Sequence, residues 1–397
     1  MGVARARPFG QLILRTFGSN SSAMRFAILT LLICCCGSSF AQTIDATITH
    51  NGGEREYILY VPEAYDAATP TPLLLNFHGY GSNAFEQMNY GDFRSIADTA
   101  GFLLVHPEGL PDLIGTAHWN VGWGFSGGID DVGFVDALID SLALDYNLDL
   151  NRVYSTGMSN GGYMSYHLAC NLSDRIAAVA SVTGAMTNTT LETCAATHVT
   201  PVLQIHGTAD DVVTYDGGFF GIAISEVTSF WRNANNTFDD ASVTPLEDVN
   251  PNDGSTVDHF VWDGGDCESV VELYKIYEGG HTWPGAFIDI SGTNYDFDGS
   301  TAVWNFLSQW SLEDLDCAVG VAEQTVAEVS VFPNPLEDVV RVEPVPFAGT
   351  ACEVRDAQGR VVCTTSFDAS GRLDASTWTP GVYVLQWQDQ AVRVIKR

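Results

Sequence analysis

Arg152-Val153-Tyr154-Ser155-Thr156-Gly157-Met158-Ser159-Asn160-Gly161-Gly162-Tyr163-Met164-Ser165-Tyr166-His167-Leu168 is the stretch on which the fold turns. Its first five residues read as a short apolar strand, and its last seven are compatible with a helix. Between them Gly157-Met158-Ser159-Asn160-Gly161 fits G-x-S-x-G. That pentapeptide means little alone, because glycine-rich turns are common. Placed between a strand and a helix, it describes a sharp elbow that exposes a serine hydroxyl at the carboxyl edge of a sheet, with glycines relieving the crowding.

The surrounding chain supports a sheet with crossover helices. Glu54–Val61 alternates as an early antiparallel strand, and Pro72–Phe77 and Gly101–His106 read as buried strands. Val132–Tyr146 has Val135, Leu138, Ile139 and Leu142 at helical spacing, and Pro201–Ile205 and Val270–Tyr277 are further strands. The expected class is therefore α/β, with a mostly parallel sheet and helices on both faces.

A serine hydroxyl is a weak nucleophile near neutral pH and needs a base held by a third group. After the Pro201–Ile205 strand comes His206-Gly207-Thr208-Ala209-Asp210-Asp211, which puts a carboxylate just past a strand end. Asp210 is the expected acid, with Asp211 as the alternative. His281 sits in the glycine-flanked loop Gly279-Gly280-His281-Thr282-Trp283-Pro284-Gly285 and is the expected base. The oxyanion donors expected are the backbone N–H groups of Asn160, just after the nucleophile, and of Tyr80, in the loop after the Pro72–Phe77 strand. Tyr80, Trp119, Trp123 and Trp283 are aromatic candidates for the substrate cleft, each with a packed-wall reading beside it. Acyl transfer by such a set requires no cofactor and no metal. A calcium site would draw on Asp130-Asp131 or on Asp296 and Asp298, but neither loop has a known ligand spacing.

The chain has 397 residues, and both ends read differently from the middle. From Met24, a basic residue, the apolar run Phe26–Cys36 and a small-x-small site ending at Ala41 read as a signal for export, so 1–41 is set aside as a signal peptide. That apolar run is too short to span a bilayer. The larger domain is placed at 42–311, an acidic linker at 312–325, and a second domain at 326–397. In the last, short strands separated by Asn334-Pro335, Gln358-Gly359 and Pro380-Gly381 suggest a small β-sandwich. The formal charge is −32, and the signal segment holds four arginines and no acid, so the remainder is more acidic still. A nucleic-acid partner is excluded for want of a basic footprint.

Of nine cysteines, Cys34, Cys35 and Cys36 fall in the signal segment. The remaining six suit an oxidising compartment, although sequence alone leaves the connectivity open. Closeness favours Cys170–Cys194 and Cys352–Cys363, which leaves Cys267 with Cys317.

Several motifs follow one another in order: His78-Gly79-Tyr80-Gly81, His106-Pro107-Glu108-Gly109, Trp119-Asn120, Asp130–Phe134, Gly157–Gly162, His206–Asp210 and Gly280–Gly285. Together they resemble the extracellular polyhydroxybutyrate depolymerase and feruloyl/acetylxylan esterase group of α/β-hydrolases, over nearly all of 45–310. The resemblance implies an α/β-hydrolase fold, a triad of Ser159, Asp210 and His281, and hydrolysis of carboxylic esters. The ester implied is a feruloyl or acetyl group on a polysaccharide, with a polyester such as polyhydroxybutyrate as the alternative and a non-catalytic surface polymer-binding protein as the rival of a different class. One departure is visible. Where relatives often carry Asn-Gly-Cys after the helix ending near Trp231-Arg232, this chain has Ala234-Asn235-Asn236-Thr237, so Cys267 must pair elsewhere or stay free.

In the tail, Val331–Pro335, Asp356–Val361, Gly381–Leu385 and the basic end at Arg393, Lys396 and Arg397 resemble a type IX secretion sorting domain. This implies partnership with that secretion machinery and a final location outside the cell or at its surface. A polymer-binding module using Trp378, Tyr383 and Trp387 is the rival reading of the tail, though aromatics in a small β-sandwich are more often core.

Overall fold

The computed structural model describes residues 41–317, 330–343, 348–356, 360–387 and 390–397. The proposed signal segment up to residue 40 and the linker from 318 to 325 lie outside the described residues.

The chain opens with an antiparallel pair, β1 (Gln42–His50) and β2 (Gly53–Val61). Asn51 and Gly52 join them with φ of 52° and 79°, the two left-handed positions that a tight hairpin turn requires. There follow β3 (Thr71–Phe77), α1 (Ala84–Tyr90), α2 (Arg94–Ala100), β4 (Leu103–Pro107), and the two-residue strands β5 (Leu110–Pro111) and β6 (Ala117–His118). Next come α3 (Asp131–Asp145), β7 (Leu148–Met158), α4 (Asn160–Asn171), β8 (Ala178–Val182), α5 (Asn188–Thr193) and β9 (Val202–Gly207). The large domain closes with α6 (Ile224–Asn235), β10 (Ser242–Pro245), β11 (Thr256–Trp262), β12 (Val271–Tyr277), α7 (Gly299–Leu307) and α8 (Leu312–Leu315).

Ten of these strands form one sheet in the order β1-β2-β4-β3-β7-β8-β9-β12-β11-β10. The six from β4 to β12 run parallel, and an antiparallel pair extends each edge. Successive residues point to opposite faces, so the strands feed two cores at once. Leu73, Leu75 and Phe77 of β3 face one core with α3, α4 and α6, whereas Leu74 faces the other with α2 and α7. That alternation explains why β3 reads as an unbroken apolar run.

The acid-rich spots weighed for calcium have other work. Asp130 caps α3 by accepting the Gly133 N–H, and Asp131 forms a buried 2.7 Å ion pair with Arg55. Asp296 accepts the N–H groups of Val249 and Asn250, and Asp298 caps α7.

The tail folds into a three-stranded sheet of β13 (Ser330–Phe332), β14 (Val339–Glu343) and β17 (Arg372–Asp374), and a four-stranded sheet of β15 (Ala351–Asp356), β16 (Val361–Ser366), β18 (Gly381–Trp387) and β19 (Gln390–Lys396). Both sheets contribute to one apolar cluster that contains Val340, Leu373, Val354 and Leu385. Trp378, Tyr383 and Trp387 are buried in it, so they are core rather than an exposed stacking platform.

Two of the three expected disulfides are present, Cys170–Cys194 and Cys267–Cys317. The second ties the segment after α8 to the loop before β12, so the start of the expected linker is anchored. The third is absent: Cys352 and Cys363 are free thiols. They lie on the neighbouring strands β15 and β16, but Cys352 stands opposite Thr365 and Cys363 opposite Val354. Such diagonal neighbours sit about 7–8 Å apart at Cα, beyond the reach of a disulfide. Sequence closeness cannot register that two-residue offset.

The Cys170–Cys194 bridge closes a 24-residue separation and the Cys267–Cys317 bridge a 50-residue one. Replacing either pair with alanines is expected to lower unfolding free energy by about 3–4 kcal/mol, measured by denaturant titration. Unchanged midpoints in both double variants would contradict this.

Candidate active site

The loops that follow β3, β7, β9 and β12 converge at the carboxyl edge of the parallel strands. Ser159 follows β7 and caps α4 with φ 54° and ψ −121°, a conformation that costs a non-glycine residue about 1–3 kcal/mol. Its neighbours explain how the turn survives. A Cβ on Gly157 would come within 2.6 Å of the Phe77 carbonyl oxygen, and one on Gly161 within 2.1 Å. The elbow is thus pressed against the end of β3, and the Ser159 N–H donates to the Val182 carbonyl at 2.8 Å.

Asp210 follows β9 and its carboxylate is buried. One oxygen accepts the N–H groups of Val212 and Val213, at 2.9 and 2.8 Å, and the other is 2.7 Å from His281 Nδ1. Nδ1 therefore donates, which leaves Nε2 as the free acceptor of a neutral ring. His281 and Ser159 line the same cleft of about 620 Å³. Asp211, the alternative acid, is exposed and makes no hydrogen bond to His281 among the described residues. Behind Asp210 lies a buried polar chain of Tyr166, Gln204 and His206. Tyr166 Oη donates to Gln204, Gln204 Nε2 donates to His206 Nδ1, and His206 Nε2 lies 2.7 Å from the Val213 carbonyl and 3.4 Å from Asp210. Burial holds the His206 pKa down, against the pull of Asp210.

The two N–H groups expected as anion donors, on Tyr80 and Asn160, make no hydrogen bond among the described residues. Gly79 packs against Ser159, with its built Cβ position 3.4 Å from the serine Cβ. The loop is fixed from behind. Asn160 exchanges two hydrogen bonds with the Trp119 backbone, at 2.7 and 3.1 Å, and the Trp119 indole donates to the His78 carbonyl at 3.0 Å. His78 Nδ1 donates to the Gly79 carbonyl, and Nε2 accepts the Gly109 N–H at 2.9 Å.

Of the aromatic candidates, Tyr80 and Trp123 line cavities that open on Ser159. Trp119 and Trp283 do not. Trp119 is buried as the brace just described, and Trp283 is buried with its indole bonded to Ser300. Their tryptophan identity reports packing, so the cleft assignment is corrected for both.

A second, apolar cavity of about 380 Å³ reaches Ser159 from the other side of Tyr80. Trp123, Phe125, Tyr163, Val213 and Phe220 wall it. Sequence reasoning missed Phe220, as it missed Phe287 on the wall of the first cleft, because both lie in loops without periodicity. The one available signal was Gly217-Gly218-Phe219-Phe220-Gly221, an aromatic pair set among glycines.

A serine on a strained elbow, an imidazole held by a carboxylate, unengaged N–H groups beside them and a six-strand parallel centre define an α/β-hydrolase. The fold is shared with an acetyl xylan esterase from Aspergillus awamori, at a TM-score of 0.50 and 12% identity over 67% of this chain and 99% of that one. Residues 55–237 match the esterase PHB depolymerase family, and residues 330–397 a secretion system C-terminal sorting domain. Similar curated proteins include a bifunctional acetylxylan esterase/xylanase from Neocallimastix patriciarum, 27% identical over 68% of this chain and 36% of that protein. A probable feruloyl esterase C from Aspergillus flavus is 34% identical over 43% of this chain and 60% of that protein. The chain thus spans less than two thirds of the length of either.

Burial holds the His78 pKa down at about 4, from an ordinary 6.5, so the ring is neutral in the fold. The unfolded chain then binds more protons than the folded one between those values. This contribution to stability is whole above pH 6.5 and is lost as pH falls towards 4, about 2 kcal/mol of it by pH 5. Denaturant titrations at pH 7 and pH 5 are expected to show a smaller drop in His78→Gln than in the parent, by about that amount. Equal drops would contradict a neutral buried His78.

Proposed function

We propose that this protein is an exported serine esterase that works through an acyl-enzyme. The observation that carries the reading is the convergence at one cleft of Ser159, the Asp210-held His281, and the unengaged Tyr80 and Asn160 N–H groups. His281 Nε2 takes the Ser159 proton as Oγ attacks the ester carbonyl. The carbonyl oxygen becomes an oxyanion held by the two N–H groups. His281 then gives the proton to the departing alkoxide, and water repeats the sequence to release the acid. Asp210 keeps the ring in the productive tautomer throughout.

The two cavities divide the substrate. The group that protonates the leaving alcohol is His281, and His281 lines only the larger, more open cleft, together with Ser82, Gln87 and Asn89. The alcohol belongs there. The acyl group then enters the aromatic-walled cavity across Tyr80, whose volume lies within the roughly 300–1,000 Å³ of sites for drug-sized ligands. An acetyl group would leave most of that cavity unfilled, whereas a flat hydroxycinnamoyl group would contact its walls. This favours feruloyl-type esters on an extracellular polysaccharide, in keeping with the names of the relatives. Polyester cleavage is the second reading, favoured by Phe85 and Phe287, which are 63% and 82% exposed on the wall of the larger cleft. The sorting domain supports delivery by type IX secretion to the cell surface or the medium.

Product release from methyl ferulate, acetylated xylan, polyhydroxybutyrate film and a p-nitrophenyl ester tests the reading. Ser159→Ala is expected to lower kcat by at least about 10³-fold on every substrate that the parent turns over. Parent silence on all four, from folded protein, would leave a binding protein. Phe220→Ala is expected to lower kcat/KM about tenfold on methyl ferulate and little on a short acetate ester. Equal losses on both would place the acyl group elsewhere.

A further inference from the structure

The loop that carries one of the two oxyanion donors has little means of holding itself. Gly79, Tyr80, Gly81 and Ser82 form a turn closed by the Ser82 N–H on the Gly79 carbonyl at 3.1 Å. Gly81, third in the turn, has a φ of 77°, where glycine is favoured. The second residue of such a turn keeps its N–H outside the closing bond, and Tyr80 stands there. Glycines on both sides leave the backbone permissive, so the tyrosine side chain is the one tether available between them. Its far end is tied down. Tyr80 Oη donates to Asp112 Oδ2 at 2.6 Å, and the Gly81 N–H donates to the Ala117 carbonyl at 2.8 Å. Both acceptors belong to the hairpin of β5 and β6.

Asp112 serves two partners at once. Its Oδ1 accepts the N–H groups of Ile114 and Thr116, each at 2.9 Å, which sets the turn of the hairpin. Its Oδ2 is left for the phenol. The side chain is buried and forms no ion pair among the described residues, so these three donors compensate for its burial. The Tyr80 hydrogen bond is the leading cause that holds the Asp112 carboxyl below the usual range, so the bond is charge-assisted near neutral pH. We propose that Asp112 is a positioning residue for ester cleavage: through the Tyr80 phenol it fixes the direction of the Tyr80 N–H that receives the oxyanion. The inference rests on the esterase reading above and adds the group that aims one of its two donors. Asp112 makes no hydrogen bond to Ser159 or His281 among the described residues, so its effect passes through Tyr80.

The experiment compares three variants of the full chain with the parent on methyl ferulate and on a p-nitrophenyl ester: Tyr80→Phe, Asp112→Asn and the two together. Tyr80→Phe leaves the hairpin bonds untouched. Asp112→Asn keeps one oxygen for the Ile114 and Thr116 N–H groups but offers the phenol no charged acceptor. Removing an oxyanion donor outright costs about 10²–10³ in kcat, and a displaced donor costs part of that. Each single change is expected to lower kcat about tenfold on every ester the parent turns over, with KM within about twofold. The double variant is expected to lose no more than about twofold beyond either single change, because both cut the same bond. An undiminished kcat in Tyr80→Phe overturns the proposal, because Asp112 is then a hairpin cap and nothing more. Losses that multiply in the double variant overturn it too, as do losses that fall on KM, the mark of direct contact with the acyl group. A parent that hydrolyses neither ester defeats the esterase reading and this inference with it, whereas an active parent with unaffected variants defeats the positioning role alone.

Discussion

The close approach of the nucleophile elbow to the end of β3 is the contact around which the site is arranged. Gly157 and Gly161 lie against the Phe77 carbonyl with no room for a Cβ, and the parallel register sets Gly157 opposite Phe77 across β7 and β3. That pairing fixes three things together. It gives Ser159 its positive φ, it starts α4 at Asn160, and it brings the loop after Phe77 against the serine. The neighbouring parallel strands carry the remaining groups to the same edge, Asp210 after β9 and His281 after β12. Groups more than a hundred residues apart meet because parallel strands end together.

Precision at that edge comes from buried polar networks. One runs from Asn160 through Trp119 to His78 and Gly109, and the other from Asp210 through His206 to Gln204 and Tyr166. Each uses a neutral histidine that both donates and accepts, an arrangement that protonation would break. An unpaired buried polar group costs about 1–3 kcal/mol, so these chains also restrict the backbone to one arrangement. His78 and His206 thus position the active-site loops from behind the surface that a substrate touches.

The molecule separates its surfaces by chemistry. Acidic residues outnumber basic ones by 49 to 17, and several of them cap helices or brace loops, as Asp130, Asp296 and Asp298 do. The mouth of the site is instead apolar. In the tail, Trp378, Tyr383 and Trp387 fill the core to which both small sheets contribute.

The sequence by itself determined the elements whose signal is local. The strand–elbow–helix, the order of serine, acid and histidine, the buried strand β3 and helix α3 all follow from short-range pattern and the steric demands of glycine. The first strand, β1, was also legible in principle, since Asn51-Gly52 marks its hairpin with β2, although the reading passed over it. Tertiary structure decided the rest. It separated Trp119 and Trp283, which are walls, from Trp123, which lines a cavity, because burial depends on what packs above a loop. It left Cys352 and Cys363 unbonded, because strand register, not proximity in sequence, sets Cα separation. It also divided the cleft into two cavities and gathered exposed apolar residues from the first turn of α1 and from three loops around one serine, a juxtaposition that no local pattern encodes, because it exists only when the ends of parallel strands are brought side by side.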